Sequence, residues 1–154
     1  MIVKVCGMRE AENIRQVEQT GADWMGFIDY EGSPRYISGV PGYLPESVQK
    51  VGVFVNASLP RIRKRGTAWQ LDYIQLHGKE SPEFCREVQQ TGLRVIKAFS
   101  LRTPDDLLAT ESYATCCVRH SLQRIRRFRQ KFRLGNPDAL PRRDAFPAKR
   151  RTEA

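Results

Sequence analysis

Short apolar runs that alternate with helix-length segments constrain this chain more than any other feature. Runs with the length and composition of buried strands occupy residues 2–6, 24–28, 51–55, 71–76 and 95–99. Helical segments are predicted between them, and strands that alternate with helices form βαβ units. The pattern therefore predicts an α/β protein with a parallel sheet. The spacing suits either a (β/α)₈ barrel or a doubly wound sheet.

The ends of the strands are where such a sheet carries its chemistry. No G-x-G-x-x-G follows the first strand, which argues against the dinucleotide-binding form of the doubly wound sheet. The candidate site residues are then those that close each strand: Cys6, Asp29, Asn56, His77 and Phe99–Ser100.

The helix-start signals are clear in the second half of the sheet region. Ser81-Pro82 has the N-cap and first-position residues of a helix, and Thr103-Pro104 repeats the device. Residues 47–50 have the character of a short helical segment before the third strand.

Charge divides the chain at Val118. Residues 1–117 carry 14 Lys and Arg against 14 Asp and Glu, whereas residues 118–154 carry 12 against 3. The net charge of +9 therefore belongs to the second part. That part is rich in Arg and Pro and lacks apolar periodicity, so we predict a folded domain at 1–117 and a disordered basic tail at 118–154.

Composition also bears on compartment and cofactors. No apolar run reaches the roughly 18 residues that a membrane helix needs, and no signal-peptide pattern precedes the first strand. The four cysteines have no C-x-x-C or disulfide-framework spacing. We therefore expect a reduced, cytoplasmic protein without a membrane partner. Cys116, Cys117 and His120 fit no common zinc spacing, and no metal is expected.

Five motifs at the strand ends carry a family resemblance. In order, they are K-V-C-G-M at 4–8, G-F-I at 26–28 followed by S-P-R-Y at 33–36, V-G-V-F-V-N at 51–56, I-Q-L-H-G at 74–78 and V-I-K-A-F at 95–99. Together they closely resemble phosphoribosylanthranilate isomerase of tryptophan biosynthesis over about residues 2–117. The resemblance implies a (β/α)₈ TIM barrel without cofactor, of which about five βα units are present here.

The resemblance also implies the chemistry. The family converts N-(5′-phosphoribosyl)anthranilate to the 1-amino-1-deoxyketose by an Amadori rearrangement, which needs an acid at the ring oxygen and a base at the C2 proton. Cys6 stands at the position of the base, and Arg35 at that of the residue that holds the anthranilate carboxylate. Gly7, Gln75 and His77 stand in the matching motifs and are further substrate-binding candidates. Without the resemblance, a strand Cys is commonly a small buried hydrophobe, Arg35 a solvated loop charge, and His77 a structural histidine.

Two positions depart from the family pattern. Asp29 stands where an apolar or aromatic residue is usual, so an extra negative charge is expected to face the anthranilate site. Residues 60–70 should form an amphipathic helix, but the arginine-rich stretch at 61–65 shows no clear apolar face, which puts that helix in doubt.

The resemblance stops after Cys117. The family has an F-D-T strand end that supplies the acid and an S-G-G segment that binds phosphate, and this chain contains neither. If the tail codons are read one base later, with synonymous codons chosen freely, Val118 onward reads F-D-T-P-C-S-G-Y-G-G-S-G-K-S-F-D-W, and residues 146–152 read F-L-L-S-G-G. We infer a reading-frame shift near 116–118 and expect little or no isomerase activity from this chain.

Other functions stay open from the sequence. The basic tail gives the alternative of a non-catalytic fragment that binds nucleic acid or other acidic partners. No recognition fold accompanies the charge, so no specific nucleic acid is expected. The expected ligand is a small phosphorylated substrate, and an unclosed barrel has strand edges through which the chain could associate with itself.

Overall fold

Six parallel strands and three helices make up the described part of the chain. The computed structural model describes residues 2–100, 106, 110 and 112–113, together with the backbone of Cys117–Ser121. The strands are β1 (Lys4–Cys6), β2 (Trp24–Asp29), β3 (Gln49–Phe54), β4 (Tyr73–Leu76), β5 (Arg94–Ser100) and β6 (Cys117–Ser121). The helices are α1 (Ala11–Gln19), α2 (Leu59–Ala68) and α3 (Pro82–Gln89). The strands pair in the order of the sequence, and every pair is parallel, which confirms the predicted sheet.

The sheet curls into a partial barrel with different contents on its two faces. Alternate strand residues point to opposite faces. The outer face packs on the helices through a cluster that includes Met25, Phe27, Phe54, Ile74 and Leu76 from the sheet, all fully buried. A smaller cluster lies on the inner face: Val51, Tyr73 and Ile96, with Trp24 packed against it. The outer cluster is thus the main hydrophobic core.

Helix α2 forms despite its arginine-rich sequence. Ile62 is fully buried, and Trp69, directly after the last helical residue, is fully buried as well. Gly66 lies between them on the same face, where an added Cβ would approach Leu93 Cδ1 to 2.9 Å. The doubt about a helix at 60–70 was therefore wrong: the apolar face is narrow and includes a glycine that permits close packing.

Helix α3 begins as its sequence predicts. The Ser81 side chain accepts a hydrogen bond of 3.2 Å from the Phe84 N–H, and Pro82 occupies the first helical position. The helix predicted to open at Thr103 lies largely outside the described residues.

The connection between β2 and β3 contains no helix, although a short one was predicted at 47–50. Gln49 already belongs to β3, and the segment before it is held by Glu18 of α1. The Glu18 carboxylate accepts hydrogen bonds from the Tyr43 hydroxyl at 2.7 Å, from the Glu46 N–H at 2.8 Å, and from the Ser47 N–H and hydroxyl at 2.7 and 2.8 Å. Partial burial alone would raise the pKa of Glu18, but these hydrogen bonds lower it to about 2.

Strand β6 extends past the predicted domain boundary. It begins at Cys117 and ends at Ser121, so the sheet runs through Val118, where the tail was expected to start. The rest of the predicted tail, residues 122–154, lies outside the described residues. Within the described part of the chain, no helix has the length and apolar character to cross a membrane.

Candidate active site

A cavity of about 520 Å³ opens where the strands end at their carboxyl edge. Its lining comes from β1 to β5 and from the loop after β2: Cys6, Ile28, Tyr30, Ser33, Arg35, Val53, Val55, Gln75, His77 and Ala98. Four of the five predicted site residues, Cys6, Arg35, Gln75 and His77, therefore meet in one cavity. The fifth, Gly7, lies directly beneath the Arg35 side chain. The carboxyl edge is the functional edge of (β/α)₈ barrels.

Cys6 ends β1 with its thiol exposed, and glycine on the neighbouring strand makes room for it. Cys6 pairs in register with Gly26 of β2. A Cβ at position 26 would stand 2.6 Å from Cys6 Sγ, closer than two such atoms can approach. The backbone N–H groups of Gly7 and Met8 both donate to Gly26 O, at 2.9 and 3.0 Å. The position of the thiol is thus set by the local geometry of both strands.

Arg35 reaches back from the loop after β2 to the end of β1. Its Nη1 donates to Cys6 O at 3.2 Å, and Cys6 O is the guanidinium's one hydrogen-bond partner among the described residues. The side chain crosses Gly7, which has φ of +88° and where an added Cβ would approach Arg35 Cδ to 2.6 Å. A residue with a side chain at position 7 would displace Arg35, so glycine is required there for both reasons.

Gln75 and His77 occupy alternate positions of β4 and its extension, and both face the cavity. Gln75 is buried and His77 exposed. Gln75 Oε1 accepts a hydrogen bond from Lys4 Nζ, across the inside of the sheet from β1 to β4. Sequence reasoning missed Lys4. The signal was its place two residues before Cys6, which puts both side chains on the inner face of the same strand.

A buried ion pair holds the loop that follows His77. Lys97 Nζ lies 2.8 Å from Glu80 Oε2 and also donates to Gly78 O at 2.7 Å. Glu80 in turn accepts hydrogen bonds from the N–H groups of Asn56 and Gly78, at 2.7 and 2.9 Å. Asn56 takes a left-handed conformation, with φ of 51°. The ends of β3 and β4 are thereby joined, and the backbone beside His77 is fixed.

Asp29 does not face the cavity, so the expectation of an extra negative charge at the anthranilate position was wrong. Ile28 and Tyr30 line the cavity, and Asp29 between them points to the helices. Its side chain is 0% exposed and forms ion pairs with Arg61 at 2.7 Å and Arg65 at 3.4 Å. The hydrogen bond to Asp29 raises the pKa of the Arg61 guanidinium, which keeps it charged.

In the described part of the chain, no cluster of three or more His, Cys, Asp or Glu side chains has the arrangement of a metal site. The side chains of Cys116, Cys117 and His120 lie outside the described residues.

Comparison with known proteins identifies the family. The family model described as N-(5′-phosphoribosyl)anthranilate (PRA) isomerase matches residues 3–120. The isomerase of Phocaeicola vulgatus is 52% identical over 117 residues, which are 76% of this chain and 57% of the relative. That of Parabacteroides distasonis is 44% identical over 119 residues, or 73% of this chain and 54% of the relative. The chain belongs to the PRA isomerase family. It spans a little over half the length of these PRA isomerases.

Solved PRA isomerases have the same architecture. The structure from Thermotoga maritima aligns with a TM-score of 0.73 at 33% identity, covering 82% of this chain and 64% of that one. Another PRA isomerase, solved in complex with reduced 1-(o-carboxyphenylamino)-1-deoxyribulose 5-phosphate, aligns with a TM-score of 0.71 at 34% identity, covering 78% and 64%. The predicted family and the incomplete (β/α)₈ barrel are both confirmed.

Proposed function

We propose that residues 2–121 form the amino-terminal part of an isomerase that binds N-(5′-phosphoribosyl)anthranilate. The observation that carries the proposal is the meeting of Cys6 and Arg35 at one cavity, where Arg35 Nη1 lies 3.2 Å from Cys6 O. The reaction would be the Amadori rearrangement to 1-(2-carboxyphenylamino)-1-deoxyribulose 5-phosphate in tryptophan biosynthesis. The reduced compound bound by the solved relative is an analogue of that product.

In this proposal, Cys6 is the base. Its thiolate would take the C2 proton of the opened ribose, and the exposed position at the strand end gives the substrate access to Sγ. Arg35 would bind the anthranilate carboxylate through its planar guanidinium, which matches two carboxylate oxygens at once. Gln75 and His77, which line the same cavity, would contact the substrate, and Gly7 would leave room for the Arg35 side chain.

The chain lacks the general acid and the phosphate-binding segment that the resemblance implies, since neither F-D-T nor S-G-G occurs in it. Loss of general acid catalysis alone typically lowers a rate by about 10²–10⁴-fold. Without phosphate binding, the energy from the remote end of the substrate no longer contributes to positioning. We therefore expect substrate binding through Arg35 but little or no turnover, and we attribute the loss to a reading-frame shift near Val118.

Two measurements test the proposal. The full chain should bind the reduced product analogue in calorimetric titration, and Arg35→Met should weaken that binding about tenfold or more, the factor that corresponds to about 1.4 kcal/mol. Failure of the chain to bind, or equal binding by Arg35→Met, contradicts the proposed ligand site.

The second measurement is isomerase turnover. The full chain alone should show no more turnover than its Cys6→Ala variant. Addition of a separate fragment that consists of the part of the Phocaeicola vulgatus relative outside the 57% matched by this chain should restore turnover that depends on Cys6. Turnover by the chain alone above the Cys6→Ala level contradicts the expected inactivity. Sequencing of the gene around codons 115–120 tests the frame shift directly.

Self-association is a second proposal, favoured by the edge of the sheet. Among the described strands, β1 pairs on one side with β2, and the adjoining Ile2 and Val3 are 61% and 44% exposed. Unpaired strand edges with apolar neighbours favour association. Size-exclusion chromatography with light scattering should give a dimer or larger species. A monomer at 100 µM or so, a concentration at which edge-driven aggregation is common, contradicts it.

The basic segment supports a third, separate proposal of binding to nucleic acid or other acidic partners. Its net charge of +9 should give binding that weakens steeply with salt. Sequence-specific binding that persists at physiological salt would favour a selected role, whereas salt-sensitive binding without preference fits the charge alone. A cytoplasmic location is also a proposal, and it rests on the absence of disulfide spacing among the four cysteines.

A further inference from the structure

The loop that carries Arg35 is held in place by helix α2. Residues 30–40, here called the Arg35 loop, contain no helix or strand except the single bridge between Tyr36 and Ile28. Arg65 of α2 donates from Nη1 to Gly39 O at 2.8 Å and from Nη2 to Ser38 O at 2.6 Å. Trp69 Nε1 donates to the same Gly39 O at 2.9 Å. Two hydrogen bonds from α2 and one from Trp69, the residue that follows it, therefore end on two consecutive carbonyl groups of the loop.

Asp29 holds both arginines of this contact in position. Arg61 donates to the Asp29 carboxylate through Nε at 2.7 Å and Nη2 at 3.0 Å, and Arg65 Nε lies 3.4 Å from Asp29 Oδ1. The Asp29 side chain is 0% exposed and that of Arg65 only 17%. The Arg61 side chain is 41% exposed, so the buried partner in both ion pairs is the Asp29 carboxylate. Hydrogen bonds between ionised groups are stronger than those between neutral groups. Arg61 Nη2 also lies 3.4 Å from the Tyr36 hydroxyl, inside the Arg35 loop.

We propose that Asp29, Arg61 and Arg65 are positioning residues that fix the Arg35 loop so that Arg35 can bind a ligand carboxylate. The inference rests on the proposed function and extends it to residues outside the cavity. Arg35 has a long, exposed side chain, and bidentate recognition of a carboxylate tolerates little displacement of its backbone. Because the loop has little regular structure of its own, contacts from α2 supply the rigidity. The aspartate at 29 and the arginines at 61 and 65 then form one unit.

Arg65→Met is the informative variant, since Met keeps an unbranched apolar stem in place of the Arg65 methylene groups but removes the guanidinium donors. Arg63→Met is the matched control. Arg63 lies on the same helix and is exposed, and in the described part of the chain it makes no hydrogen bond or ion pair with the Arg35 loop.

The first readout needs no ligand. The Ile37 N–H donates to Ile28 O at 3.0 Å, and the Tyr36 N–H to Ser33 O at 3.1 Å. Arg65→Met should speed amide hydrogen exchange at these two sites at least tenfold, with exchange at Val53 and Ile74 of the central strands unchanged. Arg63→Met should leave all four sites unchanged. Unchanged exchange at Tyr36 and Ile37 in Arg65→Met, or equal acceleration at all four sites, overturns the positioning role.

The second readout is ligand specificity in the full chain. Arg65→Met should weaken binding of the reduced product analogue about tenfold, but should leave binding of the same compound without its ring carboxylate unchanged. In an Arg35→Met background, Arg65→Met should have no further effect. Equal weakening for both compounds, or additive effects of the two substitutions, indicates a merely structural role and overturns the proposal. If the unsubstituted chain binds neither compound, the proposed function fails, and the exchange measurement alone decides whether α2 positions the loop.

Discussion

Lys97 is buried on the helix side of the sheet as the partner of Glu80 in an ion pair. Removal of its ammonium group should therefore lower the free energy of unfolding. The side chains of Lys97 and Glu80 are each 3% exposed, and their charged atoms are 2.8 Å apart. Lys97→Met leaves Glu80 buried without its counter-ion, a change that typically costs about 3–5 kcal/mol. Because Glu80 keeps hydrogen bonds from the N–H groups of Asn56 and Gly78, we expect the lower end, a loss of about 3 kcal/mol in the free energy of unfolding.

The assay is urea unfolding of the full chain at pH 7, followed by tryptophan fluorescence. Lys79→Met is the control, because Lys79 is exposed, and it should change the free energy by less than about 0.5 kcal/mol. In the double variant Lys97→Met/Glu80→Gln the unpaired charge is gone, so its stability should exceed that of Lys97→Met by at least about 1 kcal/mol. A loss below about 1 kcal/mol for Lys97→Met, or a double variant less stable than the single one, refutes the reasoning.

Further predictions concern three other contacts. In Gly26→Ala the added methyl group overlaps Cys6 Sγ. The substitution should therefore lower the free energy of unfolding by about 1–3 kcal/mol and change the rate at which iodoacetamide alkylates Cys6. An unchanged alkylation rate contradicts the overlap. The pKa of Glu18 is lowered to about 2. Its contribution to the free energy of unfolding is therefore complete above about pH 4.5 and is lost as the pH falls from there towards 2. Glu18→Gln should therefore cost about 1–2 kcal/mol at pH 7 and much less at pH 2.5, and an equal cost at both pH values would refute the assignment. Ile62 is fully buried, so Ile62→Ala should lower the free energy of unfolding in urea by about 2–5 kcal/mol. A loss under about 1 kcal/mol would contradict the close packing of α2 on the sheet.

Much of the sheet and the cavity follows from the sequence because both depend on local patterns. Apolar runs that end in polar residues predict strands, and parallel strands have their carboxyl ends at one edge. Cys6 and His77, far apart in the chain, were therefore expected together without any knowledge of distances. Arg35 required the family resemblance, since nothing in a loop arginine by itself indicates that it folds back over Gly7.

Two errors bear on the surroundings of the site: the doubt about helix α2 and the face to which Asp29 was expected to point. The buried face of α2 consists of Ile62, Gly66 and Trp69, and a glycine with a tryptophan beyond the helix end does not register as an apolar stripe. Asp29 was predicted as a site residue because it ends a strand. In the paired strands Gly26 lies beside Cys6, so residue 26 belongs to the inner face. Alternation along β2 then places Asp29 on the outer face. This pairing register is seen only in the structure, so the sequence alone could not assign the face of Asp29. The two departures noted in the sequence are in fact partners, joined by the Asp29–Arg61 ion pair.

The sequential order of the strands has a consequence for how the chain folds during synthesis. Lys4 pairs with Trp24, Trp24 with Gln49, and Ile96 with Cys117, so each new strand pairs with the one made just before it. Each pairing therefore closes a loop of only about 20–25 residues, and the entropic cost of closing a loop rises with its length. Every intermediate length of the chain then contains both partners of each strand pair up to its last strand. Cys6 and Arg35, the proposed base and carboxylate anchor, belong to β1 and the loop after β2, so both are synthesised before the later strands.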